Sequence, residues 1–174
     1  YYAPVRPIVP KLVNTHKLTE VVQVDSVDIL WIIDNSGSMG SHQQNVITNT
    51  KTFMDNFTKN RQLDWKMGLI STDDTERPYV GFEQGSLLDW KSTNPVGIFQ
   101  AAVARLGTGG SATEKVFDPV TRALTDYPTF ARPRAILALI MVTDAPEQGR
   151  APSQDFLNFL TTQKGNLNRV VSYG

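Results

Sequence analysis

The feature that most narrows the folds open to this chain is Val27-Asp28-Ile29-Leu30-Trp31-Ile32-Ile33, an almost unbroken apolar stretch that stops at Asp34. A strand with one wet face alternates apolar and polar residues, whereas a strand that stays apolar and rich in β-branched residues is buried on both faces. Burial on both faces is the signature of a parallel sheet with helices above and below it. The next residues, Asn35-Ser36-Gly37-Ser38-Met39-Gly40, are turn chemistry. Beyond them Val46, Thr50, Phe53, Met54 and Phe57 recur at helical spacing.

The same alternation continues. Trp65 to Thr72 reads as a second strand, completing a strand–helix–strand unit, and closes in Asp73-Asp74. Tyr79 to Phe82 and Leu87 to Trp90 have the composition of a short edge strand or hairpin. Val96 to Leu106 carries Ile98, Phe99, Ala102, Val103 and Leu106 on one helical face. A glycine-rich loop, Gly107 to Thr113, leads into a helix expected from Glu114 to about Thr125. Ala135 to Val142 is a third core strand, ending in Thr143-Asp144. A helix bearing Phe156, Leu157, Phe159 and Leu160 comes after it, and Arg169 to Tyr173 reads as a fourth core strand. The fold class expected is α/β: a doubly wound, mostly parallel, Rossmann-like sheet flanked by helices, with a short antiparallel edge strand.

A chain of 174 residues is most simply one domain around one core. We divide it into an extended lead-in over 1–24, marked by Pro4, Pro7 and Pro10, and a folded domain over 25–174. The lead-in reads equally as a surface-lying strap or as a tether from a longer surface protein. No apolar run approaches the roughly 18 to 20 residues that span a bilayer. Lys and Arg number 17 and so do Asp and Glu, which leaves no basic footprint for nucleic acid. With no cysteine and two histidines, His16 and His42, any metal must be held by oxygen, which selects hard cations. His42 and the aromatic residues Trp31 and Trp65 are assigned structural places, the first on the surface and the others in the core.

Ligand sites of open parallel sheets lie outside the carboxyl ends of the strands. Those ends here deliver Asp34, Ser36 and Ser38 from the first strand, Thr72 and Asp73 from the second, and Thr143 and Asp144 from the third. The glycine-rich loop adds Ser111 and Thr113. Hydroxyls with two or three carboxylates suit magnesium, which takes octahedral oxygen at about 2.0–2.1 Å and retains waters. Manganese would be accepted as well. Calcium, with its appetite for about 6–8 oxygens, fits such a sparse set less well.

Asp34-x-Ser36-x-Ser38, at the end of an apolar strand and opening a helix, resembles the metal-ion-dependent adhesion site of von Willebrand factor A (vWA) and integrin inserted domains. The string Val27 to Met39 is similar to bacterial members of that family. The resemblance covers about residues 27–174 and implies direct metal ligation by Ser36 and Ser38. It further implies a hydroxyl from the glycine-rich loop and contacts from Asp34 and Asp144. The loop hydroxyl is assigned to Thr113, with Ser111 as the alternative, since Gly109-Gly110-Ser111 also matches the family's Gly-Gly-Thr spelling. Asp73 is placed in a supporting position behind the ligands. Family domains usually continue past the strand where this sequence stops, so either a last helix and strand lie beyond it or the lead-in compensates.

The function this implies is a metal-dependent adhesion or protein-interaction module. A divalent ion roughly neutralised by Asp34 and Asp144 would keep an open position for a carboxylate presented by a partner protein or glycan. An extracytoplasmic place, on the cell surface, secreted or periplasmic, suits a cysteine-free chain with a proline-rich lead-in. Two other readings stand beside it. A magnesium-dependent aspartyl phosphotransferase would use Asp34 as nucleophile, but Ser36 stands where that chemistry usually wants a second acid. A metal-free scaffold would keep the fold alone. Gly107-x-Gly109-x-x-Ala112 comes after a helix rather than a strand, so it lacks the context of a dinucleotide fingerprint.

Overall fold

The computed structural model describes residues 26–59, 63–73, 87–149 and 152–174. The proline-rich lead-in, Asp74 and the stretch Tyr79 to Phe82 lie outside these. The described residues form strand β1 (Ser26–Ile33), helix α1 (Gly40–Thr58), β2 (Asp64–Ser71), β3 (Leu88–Asp89), α2 (Pro95–Leu106) and α3 (Phe117–Asp126). β4 (Ile136–Val142), α4 (Ser153–Lys164) and β5 (Val170–Tyr173) complete the order. The sheet runs β3-β2-β1-β4-β5. β1, the long apolar stretch that ends at Asp34, lies at its centre. β2 and β4 pair with it in parallel, β5 pairs in parallel with β4, and β3 is the antiparallel edge.

Alternation along β1 divides the core in two, because successive side chains of a strand point to opposite faces. Leu30 and Ile32 join Ile70, Leu137 and Leu139 under α3 and α4, where Val120, Leu124, Phe156 and Leu160 meet them. Val27, Ile29, Trp31 and Ile33 face the other way, with Met67 and Leu69, against Met54 of α1 and Phe99 and Val103 of α2. Trp31 is buried and meets Phe53 and Phe99 edge-on, with ring centroids 5.3 and 5.0 Å away. Both faces of β1 are therefore sealed, as its composition demanded. His42 is exposed on α1.

Two elements differ from the expectation. Among the described residues β5 stands at the edge of the sheet, paired with β4 alone, and its side chains from Val171 to Tyr173 are exposed rather than in the core. α3 begins at Phe117 rather than Glu114. Its free amide groups at Val116 and Phe117 are taken by the Glu147 carboxylate, at 2.5 and 3.2 Å. An acceptor supplied 30 residues later starts this helix, so no local signal marked the boundary.

The amino-terminal ends of the strands are locked by charge. Asp28 is fully buried and accepts from the backbone amide and Nε of Arg132, both at 2.7 Å, while Arg132 Nη1 reaches Asp64 at 2.6 Å. Burial pushes the Asp28 carboxyl above its ordinary value, and the hydrogen bonds and charge of Arg132 oppose that rise. Lys164, at the end of α4, donates to the Arg132 carbonyl and is lowered by its own burial. The opposite ends of the strands are left for the site.

Candidate metal centre

Register places the site. Ile33 of β1 pairs with Ser71 of β2 and with Val142 of β4. The next residues, Asp34, Thr72 and Thr143, therefore leave the sheet at one level. Asp34 remains tied to it, its amide donating to the Val142 carbonyl at 2.9 Å. Its carboxylate is fully buried. Oδ1 accepts from the Ser36 amide at 2.7 Å and, at 3.5 Å, from Thr72 Oγ1, while Oδ2 accepts from Thr143 Oγ1 at 3.0 Å. These donors hold Asp34 in one orientation. None of them neutralises it.

The loop after β1 turns through Gly37–Met39 into α1. It brings the hydroxyls of Ser36 and Ser38 within 3.2 Å of each other. Gln43, one turn into α1 and buried, donates from Nε2 to the carbonyls of Asp34 and Gly107, at 2.8 and 2.9 Å. One side chain thus pins the first loop to the glycine-rich loop. α2 ends at Gly107, whose φ of 62° is reached without strain by glycine alone. Gly110 donates to the Asn35 carbonyl at 2.8 Å, and a Cβ there would overlap the Asn35 side chain. The two loops can close only because residue 110 has no side chain.

The residues expected from the sequence come to this place in different ways. Asp34, Ser36 and Ser38 stand together on the first loop. Asp73 is buried, and its Oδ2 accepts from the Ser111 amide at 3.0 Å. It thereby ties the end of β2 to the glycine-rich loop. Ser111 Oγ accepts from the Thr113 amide at 3.0 Å, and the Thr113 side chain is exposed. Asp144 is exposed at the mouth, and one of its carboxylate oxygens lies within 4.8 Å of oxygens of Asp34 and Glu114.

Glu114 is the residue that sequence reasoning missed. It is only 6% exposed. Its Oε2 accepts from Gln148 Nε2 at 2.8 Å, and its carbonyl from the Gln148 amide at 2.9 Å. Read as the acidic first residue of α3, it had an ordinary explanation, since carboxylates are common at helix starts. The shift of α3 to Phe117 frees Glu114 to turn toward Asp34 instead. Three carboxylates, two of them buried, thus converge at the end of the strand whose loop carries Ser36 and Ser38, and no lysine or arginine among the described residues pairs with them. Buried charge of one sign is stable only when paired or bound to a cation. The all-oxygen donor set fits a hard divalent ion.

The model of the von Willebrand factor type A domain matches residues 28–166 of this sequence. The chain belongs to that family. The stretch matched takes in β1 with the Asp34-x-Ser36-x-Ser38 loop, the glycine-rich loop and Asp144. No curated protein sequence matches this vWA domain. Among solved structures, proximal thread matrix protein 1 from the mussel byssus superposes with a TM-score of 0.52 at 13% identity, over 86% of this chain and 37% of that one. The SpRpn10 VWA domain gives 0.46 at 15% identity, over 86% and 73%. A form of the mussel protein with a zinc-occupied MIDAS motif gives 0.48 at 12%, over 87% and 44%. At 13% identity, the first of these superpositions speaks to the fold alone. The chain spans little more than a third of the mussel protein in the first of these superpositions. None of the helices among the described residues is long and apolar enough to cross a membrane.

Proposed function

We infer that this vWA domain is a cation-dependent binding module whose ligand is an oxygen, foremost a carboxylate, presented by a partner protein or glycan outside the cytoplasm. The observation that carries the reading is the pair of buried carboxylates, Asp34 and Glu114, with no basic side chain to balance them among the described residues. Ser36, Ser38, Asp34 and Asp144 are the assigned holders of the ion, with a hydroxyl from Thr113 or Ser111. A bound divalent ion would supply Lewis acidity toward the partner's oxygen. Magnesium or manganese suits the set, and the buried carboxylates extend the range to calcium, whose affinity grows with ligand charge.

The chain's own residues do the rest. Thr72, Thr143 and the Ser36 amide orient Asp34, while Gln43 and Asp73 fix the loops around it. That engagement also argues for binding rather than catalysis. An aspartyl nucleophile needs an oxygen open to the substrate, and both oxygens of the fully buried Asp34 accept hydrogen bonds. Isothermal calorimetry tests the reading: magnesium or manganese should bind the intact domain, and Asp34→Ala and Ser38→Ala should each abolish the heat. Binding that survives in both variants would refute it.

A further inference from the structure

The third carboxylate changes what the loaded site would accept. Asp34 and Asp144 alone neutralise a divalent ion; with Glu114 the loaded centre carries a net charge of −1, and an incoming acid meets repulsion where it would otherwise meet none. Glu114 also resembles an external ligand in chemistry. It is a carboxylate with one oxygen within 4.8 Å of oxygens of both Asp34 and Asp144, so it lies beside any ion those two hold. It directly follows Thr113 and lies three residues after Ser111, the two residues between which the sequence left the loop hydroxyl undecided. A neutral donor there would leave the ion's charge for the partner; an anionic one uses it internally.

Glu114 is not loosely placed. Its Oε2 takes the Gln148 amide at 2.8 Å, and its backbone carbonyl takes the Gln148 N–H at 2.9 Å. Gln148 belongs to the same loop as Asp144. Next to it, Glu147 binds the Val116 and Phe117 amides just beyond Glu114. The segment carrying Glu114 and the loop carrying Asp144 are therefore fastened to each other at both residues. A partner that draws Glu114 away from the ion must break the Gln148 bond to do so.

Resting on the cation-binding reading above, we propose that Glu114 is a built-in competitor for the partner's acid: it strengthens cation binding and, in the same act, weakens the loaded site's hold on an external carboxylate. The signature is a pair of opposite shifts. Manganese is titrated into wild type, Asp34→Ala, Glu114→Gln and Glu114→Thr, each first shown folded by circular dichroism, with water-proton relaxation as the readout. Sodium acetate is then titrated at saturating manganese, against sodium chloride for ionic strength. Glu114→Gln keeps an acceptor for Gln148, and Glu114→Thr replaces the carboxylate by a hydroxyl.

The expected result is at least tenfold weaker manganese binding in both Glu114 variants, together with acetate binding at least threefold tighter than in wild type. A merely structural role would weaken both. Unchanged manganese affinity, or acetate binding no tighter than wild type in either folded variant, overturns the proposal while wild-type binding and its loss in Asp34→Ala leave the metal reading intact. Failure of wild type to bind manganese sinks both, and is seen before any variant at 114 is made.

Discussion

Replacing Glu114 by glutamine should stabilise the metal-free domain, and the size of the gain comes from the geometry. Oxygens of Asp34 and Glu114 lie within 4.8 Å of each other, and two unit charges at that separation repel by about 3 kcal/mol at an effective dielectric of about 20. Asp144 is exposed, so its repulsion on Glu114 is screened to about 1 kcal/mol or less. Reorientation of nearby dipoles absorbs part of the total. An increase of about 1–3 kcal/mol in unfolding free energy is expected for Glu114→Gln in chelator, which at a urea slope of about 2 kcal/mol/M moves the midpoint up by about 0.5–1.5 M. The hydrogen bond from Gln148 survives in this variant, so little is lost against that gain.

Cation narrows the difference. A ligand at one hundred times its dissociation constant stabilises the native state by about 2.7 kcal/mol, and a tenfold weaker site gains about 1.4 kcal/mol at the same concentration. The advantage of Glu114→Gln should therefore shrink by about 1.3 kcal/mol when chelator is exchanged for magnesium at that level. Urea unfolding followed by tryptophan fluorescence measures both quantities, since Trp31 and Trp65 are buried. A variant less stable than wild type in chelator, or a difference that magnesium leaves unchanged, would mean that residue 114 does not share one electrostatic site with Asp34.

Other expectations concern the frame around the site. Gly110→Ala should cost about 1–3 kcal/mol, as overpacking does, because its Cβ falls on the Asn35 side chain, which is buried and cannot swing into solvent; urea unfolding checks this, and a neutral result would mean that the two loops are not closed on each other. Asp28 should leave a mark on the pH dependence. Burial holds its carboxyl above the ordinary 3.8, so the folded state takes up its proton more readily than the unfolded chain. Its contribution to stability is then fullest at low pH and is lost as pH rises through the raised value. Relative to Asp28→Asn, wild type should lose stability as pH is raised above the ordinary 3.8; a difference that does not change with pH would refute the assignment.

Much of the fold was legible because the strands that matter most are the ones sealed on both faces. Burial of that kind writes itself as apolar sequence, and Val27 to Ile33, Met67 to Ile70 and Leu137 to Leu139 carry it. Their ends were marked as sharply, by Asp34, Thr72 and Thr143, so the level at which a site would form could be named without knowing the order of the strands. β5 misled for the converse reason: Val170 and Val171 have the composition of a core strand, and nothing local states that a strand will have one neighbour rather than two. Its exposed Tyr173 is compatible with either place until the sheet is assembled.

The site was legible only where its residues are close in sequence. Asp34, Ser36 and Ser38 share one loop, and their spacing is itself the signal. Glu114 takes its meaning from three distant events: the capping of α3 by Glu147, the grip of Gln148, and the arrival of Asp34 and Asp144 on strands far from it in the chain. A carboxylate after two glycines and two hydroxyls has a sufficient local explanation as a helix opener, which is why the better explanation stayed hidden. The surviving clue was chemical. A loop expected to offer a neutral hydroxyl offered an acid as well, and the charge of the ligand set determines both how firmly a cation is held and what that cation can still attract.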